Sequence, residues 1–275
     1  KGTLEENDSF LAQGGICVQR DETDFEPFLE DTLRAGHYEN NEAAVSAMIR
    51  SSREIIADLI GLGVAFDKKG AGFSYTKEGA HSRARILHCK DMTGKEINSK
   101  LIAQVKELKN VSILENSTLV DLLVAGDRCH GAVLRDQSGK LSNVYAQTTL
   151  LATGGIGGLF SKTTNFAHLT GDAIAVALKH GIRVKDMNYV QIHPTSLYTG
   201  RPGRAFLMSE SLRGEGAILV GKDGNRFADE LLPRDLLTKA IYAQMGKDRL
   251  PYVRMLLKGH IDGPIAERFP GIHAQ

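Results

Sequence analysis

The chain has 275 residues, long enough for one large core or two domains. Its 34 Lys and Arg nearly cancel its 33 Asp and Glu, which gives no reason to expect nucleic acid or an anionic membrane as partner, so any anion site must be local. Three scattered cysteines, Cys17, Cys89 and Cys129, read as free thiols of a reducing compartment, and no apolar run approaches the ~20 residues that span a bilayer.

The acidic, polar start "KGTLEEND" does not read as a signal peptide, and a cytoplasmic location is expected. "SFLAQGGI" then places Gly14 and Gly15 after Gln13, where clustered glycine lets backbone approach a ligand. Residues 25–36 read as a short helix. Residues 41–60 give a stronger helix, with Val45, Met48, Ile49, Ile55, Ile56, Leu59 and Ile60 on one stripe and Asn40 or Asn41 as cap. "EGAHSRARILH", Glu78 to His88, packs a carboxylate, two histidines and two arginines together. Three readings are open for it: a solvated basic helix, a metal site, or one wall of a pocket for an acidic substrate. The metal reading is poor, since His81 and His88 lack the spacing of a zinc helix, and no metal is expected.

A third helix is expected near 98–109, with Leu101, Ile102, Val105 and Leu108 on one side. The period then shortens. "VSILE", "TLVDLLVA", "CHGAVLR" and "LSNVYA", separated by turn signals, predict a small antiparallel meander. "TTLLATGG" reads as a buried strand ending in a glycine turn, and "TGDAIAVALKHG" as a helix from Gly171–Asp172 to Gly181. Glycine turns at strand ends often hold dinucleotide phosphates, but the full GxGxxG fingerprint is absent. From about Met187 the chain is dense in functional residue types, with "GKDGNRF" as a hairpin-like turn. His193 precedes a proline in "QIHPTSLY", which fixes its direction. Glu210 and Arg213 stand at i,i+3 in "SESLRGEG", and Arg234 follows Pro233 in "LLPRDLL".

Taken in order, "AQGGI", "EGAHSRARILH", "ATGG", "TTN", "TGD", "QIHPT", "SESLRGEGAIL", "GNRF" and "LLPRD" resemble the succinate dehydrogenase and fumarate reductase flavoprotein family, on its L-aspartate oxidase branch, from about Ser9 to Ala240. The branch rests mainly on "EGAHSRARILH". The resemblance implies a mixed α/β (α+β) fold: a partial Rossmann-like FAD-binding domain with the meander over 1–186, and an α+β capping domain over 187–275. It implies that Ser9, Gln13, Gly14, Gly15, Val120, Thr153, Gly154, Gly155 and Asp172 serve FAD. Asp8 stands where respiratory relatives link a histidine covalently to the cofactor, so non-covalent FAD is expected. His193 and Ser209 would bind a substrate carboxylate and Glu78 the ammonium, since dicarboxylate-only relatives have a neutral residue there. Arg234 would transfer the proton, with Glu210 and Arg213 as its relay. The implied reaction is hydride transfer from aspartate Cα to flavin N5, giving iminoaspartate for NAD biosynthesis, with electrons passed to oxygen or fumarate. Small dicarboxylates are the expected partners, together with the next enzyme of that pathway. Two alternatives are a fumarate reductase or succinate dehydrogenase flavoprotein and a non-catalytic remnant of the fold. The family's GxGxxG unit and its C-terminal substrate clamp are missing, so the chain reads as an internal piece that alone binds FAD poorly and is inactive.

Overall fold

In the computed structural model, residues 1–261 and 263–275 are described. Strand β1 (Ile16–Cys17) leads into helices α1 (Phe25–Ala35) and α2 (Glu42–Gly61). Helix α2 begins where the Asn41 side chain accepts the Ala44 N–H at 3.0 Å, which satisfies one of the first turn's orphan donors. Four two-residue strands follow: β2 (Lys68–Lys69), β3 (Gly72–Phe73), β4 (Tyr75–Thr76) and β5 (Ile86–Leu87). Strand β5 lies between β1 and β4, antiparallel to both. Its Leu87 packs into a core with Val18, Ile56, Val64 and Phe66, while Phe28 of α1 meets Val45 and Ile49 of α2.

Helix α3 (Thr93–Lys106) precedes the meander of β6 (Thr118–Ala125), β7 (Arg128–Arg135) and β8 (Leu141–Tyr145). Helix α4 (Asp172–Lys179) packs on β6, and His180 and Lys179 both contact Asp121 there. The remaining elements are α5 (Glu210–Gly214), β9 (Ile218–Val220), α6 (Arg234–Asp248), β10 (Arg254–Leu256), and two short helices, α7 (Ile265–Arg268) and α8 (Pro270–His273). Strands β9 and β10 pair antiparallel, and Leu219 of β9 packs on Leu237 and Ile241 of α6.

The chain divides into two compact units whose segments interleave. One holds Lys1–Asp8, Val105–Val190 and Thr199–Phe206; the other holds Ser9–Gln104, Gln191–Tyr198 and Leu207–Gln275. Among the described residues, no helix is long and apolar enough to cross a membrane.

Three expectations are corrected. "VSILE" and "TTLLATGG" form no strand. A strand needs a neighbour for its backbone hydrogen bonds. None of the described strands pairs with 147–154, and Leu150 is 88% exposed. The apolar stripe of α2 is narrower than its sequence suggests: Val45, Ile49 and Ile56 are buried, whereas Met48, Ile55 and Ile60 lie to the side of that seam and are exposed.

Candidate active site

The stretch 78–88 is neither a helix nor a solvated face. Its backbone is held from within by Arg85, which has no exposed surface. Arg85 donates Nη1 to Asp31 at 2.6 Å and Nη2 to Asp24 at 3.0 Å, and its guanidinium lies over the Phe28 ring. Asp31 also accepts the Ser82 N–H and hydroxyl, both at 2.7 Å. Two carboxylates from the α1 region thus hold the loop at Ser82 and Arg85. His81 places Nδ1 near the carbonyls of Glu78 and Gly79 and Nε2 3.3 Å from the Cys17 sulfur. Burial, then the charge of Glu78, pushes the Cys17 thiol up to about 12, so it stays a neutral S–H. His88 turns away to Asp67 at 2.9 Å.

Helix α5 lies against the start of this loop with backbone touching backbone. A Cβ at Gly214 would sit 1.9 Å from the Lys77 carbonyl, and one at Gly79 would sit 2.4 Å from Glu210 Oε1. At Gly214 the neighbour is backbone, so only glycine allows the approach; at Gly79 it is the Glu210 carboxylate, which a side chain would displace. As a result the Gly79 N–H donates to Glu210 Oε1 at 3.1 Å, and the Ser211 hydroxyl donates to Glu78 Oε1 at 2.6 Å. Ser209 caps α5: its Oγ accepts the Ser211 N–H at 3.2 Å, which leaves the hydroxyl proton free to donate elsewhere.

The charges gather around Glu210, which is buried. Arg234, the first residue of α6 after Pro233, donates Nε to Glu210 Oε2 at 2.7 Å and Nη1 to the Gln191 side chain at 2.6 Å. Arg213 lies on the other side, with Nη2 3.6 Å from Glu210 Oε1. The Arg213 side chain is fully buried. Its Nη1 donates to the Glu230 carbonyl, but Nε and Nη2 find no hydrogen-bond partner among the described residues. Two unpaired donors on a buried cation are costly unless an anion meets them. Burial pushes Glu78 above the usual carboxylate range; the Ser211 hydrogen bond opposes this, and Glu210 adds to it. Burial, reinforced by the Arg234 charge, pushes His193 down to about 4, so its imidazole is neutral at physiological pH. His193 Nδ1 is 3.0 Å from the Thr195 carbonyl and 3.3 Å from the Thr195 N–H. The tautomer that accepts the Thr195 N–H leaves Nε2–H as a donor.

Of the residues expected to act on substrate, Glu78, Glu210, Arg213, Arg234, His193 and Ser209 all lie in one unit, and electrostatic or hydrogen-bond contacts link them. Ser211, Gln191 and Glu230 complete the cluster and were missed. Ser211 and Gln191 flank expected residues inside "SESLRGEG" and "QIHPT"; the polar type of those neighbours was the available signal.

The flavin candidates fall in both units. In the second, Gln13 is buried with its side-chain oxygen unpartnered. Beside it, a Cβ on Gly14 would come 2.8 Å from Glu78 Oε1 and one on Gly15 2.2 Å from the Leu87 carbonyl. The two glycines thus let this backbone pack against Glu78 and Leu87, and the unpartnered Gln13 oxygen is the group that fits a flavin, as an acceptor for a ligand N–H. Ser9 is exposed nearby in sequence. In the first unit, Thr153, Gly154 and Gly155 lie in an exposed irregular segment, and Val120 is half-exposed on β6. Asp172 accepts the Thr170 hydroxyl at 2.6 Å and pairs with Lys1. Asp8 ties down the "TTN" loop, accepting the Phe166 N–H at 3.0 Å and the Asn165 amide.

The FAD binding domain model matches residues 1–275. The chain is 46% identical over 266 residues to an L-aspartate oxidase of Clostridium perfringens, covering 96% of this chain and 60% of that protein. It is 43% identical to an L-aspartate oxidase of Clostridium acetobutylicum, covering 98% of this chain and 62% of that one. Among solved structures it is similar to an E. coli quinol fumarate reductase (TM-score 0.86, 25% identity, 98% of this chain and 50% of that one). It is also similar to a quinol-fumarate reductase with menaquinol molecules (TM-score 0.88, 26% identity, 98% and 51%). The chain thus spans about 60% of the length of these curated relatives. The fold and a match over every residue agree: the chain belongs to the FAD binding domain family.

Proposed function

We propose that the enzyme carrying this chain oxidises L-aspartate to iminoaspartate, the opening step of NAD biosynthesis, with oxygen or fumarate as final electron acceptor. The observation that carries this reading is a half-buried carboxylate, Glu78, set beside a buried arginine with two donors that lack a hydrogen-bond partner, Arg213. Succinate offers two carboxylates and no amine; aspartate also needs an acceptor for its ammonium. Glu78 supplies one.

In this reading Arg213 and Arg234 neutralise the substrate carboxylates, and the Ser209 hydroxyl and His193 Nε2–H donate to them. A neutral imidazole suits this task, because it donates without adding a third cation. Non-covalently bound FAD supplies the hydride acceptor; Gln13, Gly14 and Gly15, with Ser9, Val120, Thr153, Gly154, Gly155 and Asp172, are the residues proposed to hold it. Arg234 moves the proton. Arginine ordinarily stays charged, with a pKa above ~12. Glu210, bonded to Arg234 Nε at 2.7 Å and facing Arg213, is the group able to share that proton in a dry pocket. Small dicarboxylates are the partners, the next enzyme of the pathway is a candidate partner, and three free cysteines suit the cytoplasm.

A second reading, a fumarate reductase flavoprotein, is favoured by the fold neighbours. Glu78 argues against it. The test is direct: the enzyme should consume oxygen or fumarate with L-aspartate as donor and turn over succinate far more slowly. Succinate oxidation without aspartate oxidation would establish the second reading, and a colourless preparation that stays colourless with added FAD would point to a non-catalytic remnant.

A further inference from the structure

Ser211 has no role in the reaction described so far, yet it is 2% exposed and points its hydroxyl at the ammonium acceptor. Its O–H can donate to Glu78 Oε1 at 2.6 Å, while its N–H is spent on Ser209 Oγ. One residue of α5 therefore touches both groups proposed to meet the two ends of the substrate. We infer that Ser211 is the positioning residue that orients the Glu78 carboxylate and keeps it an acceptor, so that selectivity for an amino-dicarboxylate rests on the Glu78–Ser211 pair. This deepens the aspartate reading and rests on it.

The surroundings of Glu78 explain why such a partner is needed. Burial opposes its charge most strongly, and Glu210 repels it. Ser211 is the largest opposing influence, ahead of Arg234 and His81. Arg213 also faces Glu78, and the Cys17 thiol beside it is uncharged. A protonated Glu78 would lose the charge that attracts an ammonium and turn one of its two acceptors into a donor, which weakens binding. With Oε1 fixed by Ser211, Oε2 is left for the substrate. The hydroxyl thus does two things: it sets the rotamer and it stabilises the anion.

The test uses the holoenzyme with Ser211→Ala, Ser211→Thr and Glu78→Gln, measuring kcat/KM for L-aspartate oxidation and for fumarate reduction from pH 5 to 9. A lost hydrogen bond to a buried charge should lower the aspartate value of Ser211→Ala roughly ten-fold more than its fumarate value. The acidic limb of its aspartate profile should move up by about one pH unit. Ser211→Thr, which keeps the hydroxyl, should return the limb to its original position. A merely structural role would lower both reactions together and leave the limb in place, and that result overturns the inference. Should Glu78→Gln lose aspartate preference while Ser211→Ala keeps both ratio and limb, the Ser211 role fails and the aspartate reading survives. Should Glu78→Gln keep its preference, both fail together.

Discussion

At the scale of single residues, burial decides the charge state of the imidazole. His193 is held near 4 against an ordinary 6.5, so the unfolded chain binds a proton there that the folded chain refuses. Stability from this group is complete above 6.5 and is lost as pH falls toward about 4, amounting to roughly 3 kcal/mol. Urea unfolding at pH 7 and pH 4 should therefore show a smaller acid loss in His193→Gln than in the parent chain; equal losses would mean that the imidazole is not desolvated. The proline after His193 was readable, and so was the charge set of Glu210, Arg213 and Arg234. The Ser211–Glu78 bond was not, because its partners are 133 residues apart and no spacing rule reaches that far. Gln191 was missed for the same reason: its amide meets Arg234 from 43 residues away.

At the scale of elements, the loop 78–88 depends on one buried ion cluster. Arg85 faces Asp24 and Asp31, with no exposed surface of its own. Removing the cation strands two buried carboxylates. Arg85→Met should destabilise the chain by roughly 3–5 kcal/mol, and adding Asp24→Asn and Asp31→Asn should recover part of that. Thermal or denaturant unfolding measures both; a triple variant no more stable than the single one would contradict this origin. The helices α1, α2 and α4 and the three-stranded meander were legible because their periods of 3.6 and 2 are local properties. "TTLLATGG" misled because β-propensity describes fitness for a sheet and supplies no neighbour, and the exposed side of α2 misled because apolar type does not say which positions are covered.

For the whole molecule, length and composition alone left almost every function open, and ordered motifs narrowed it. Only the fold put Glu78, Glu210, Arg213 and Arg234 side by side from three separate stretches of one unit. The chemistry proposed for this set depends on a carboxylate that reads the amine and arginines that read the acids. The most direct measurement is the ratio of kcat/KM for L-aspartate to that for succinate in the holoenzyme and in Glu78→Gln. Losing a charge-assisted bond of about 1.5–3 kcal/mol should cut that ratio roughly ten- to a hundred-fold. A ratio unchanged in Glu78→Gln would show that the amine is read elsewhere.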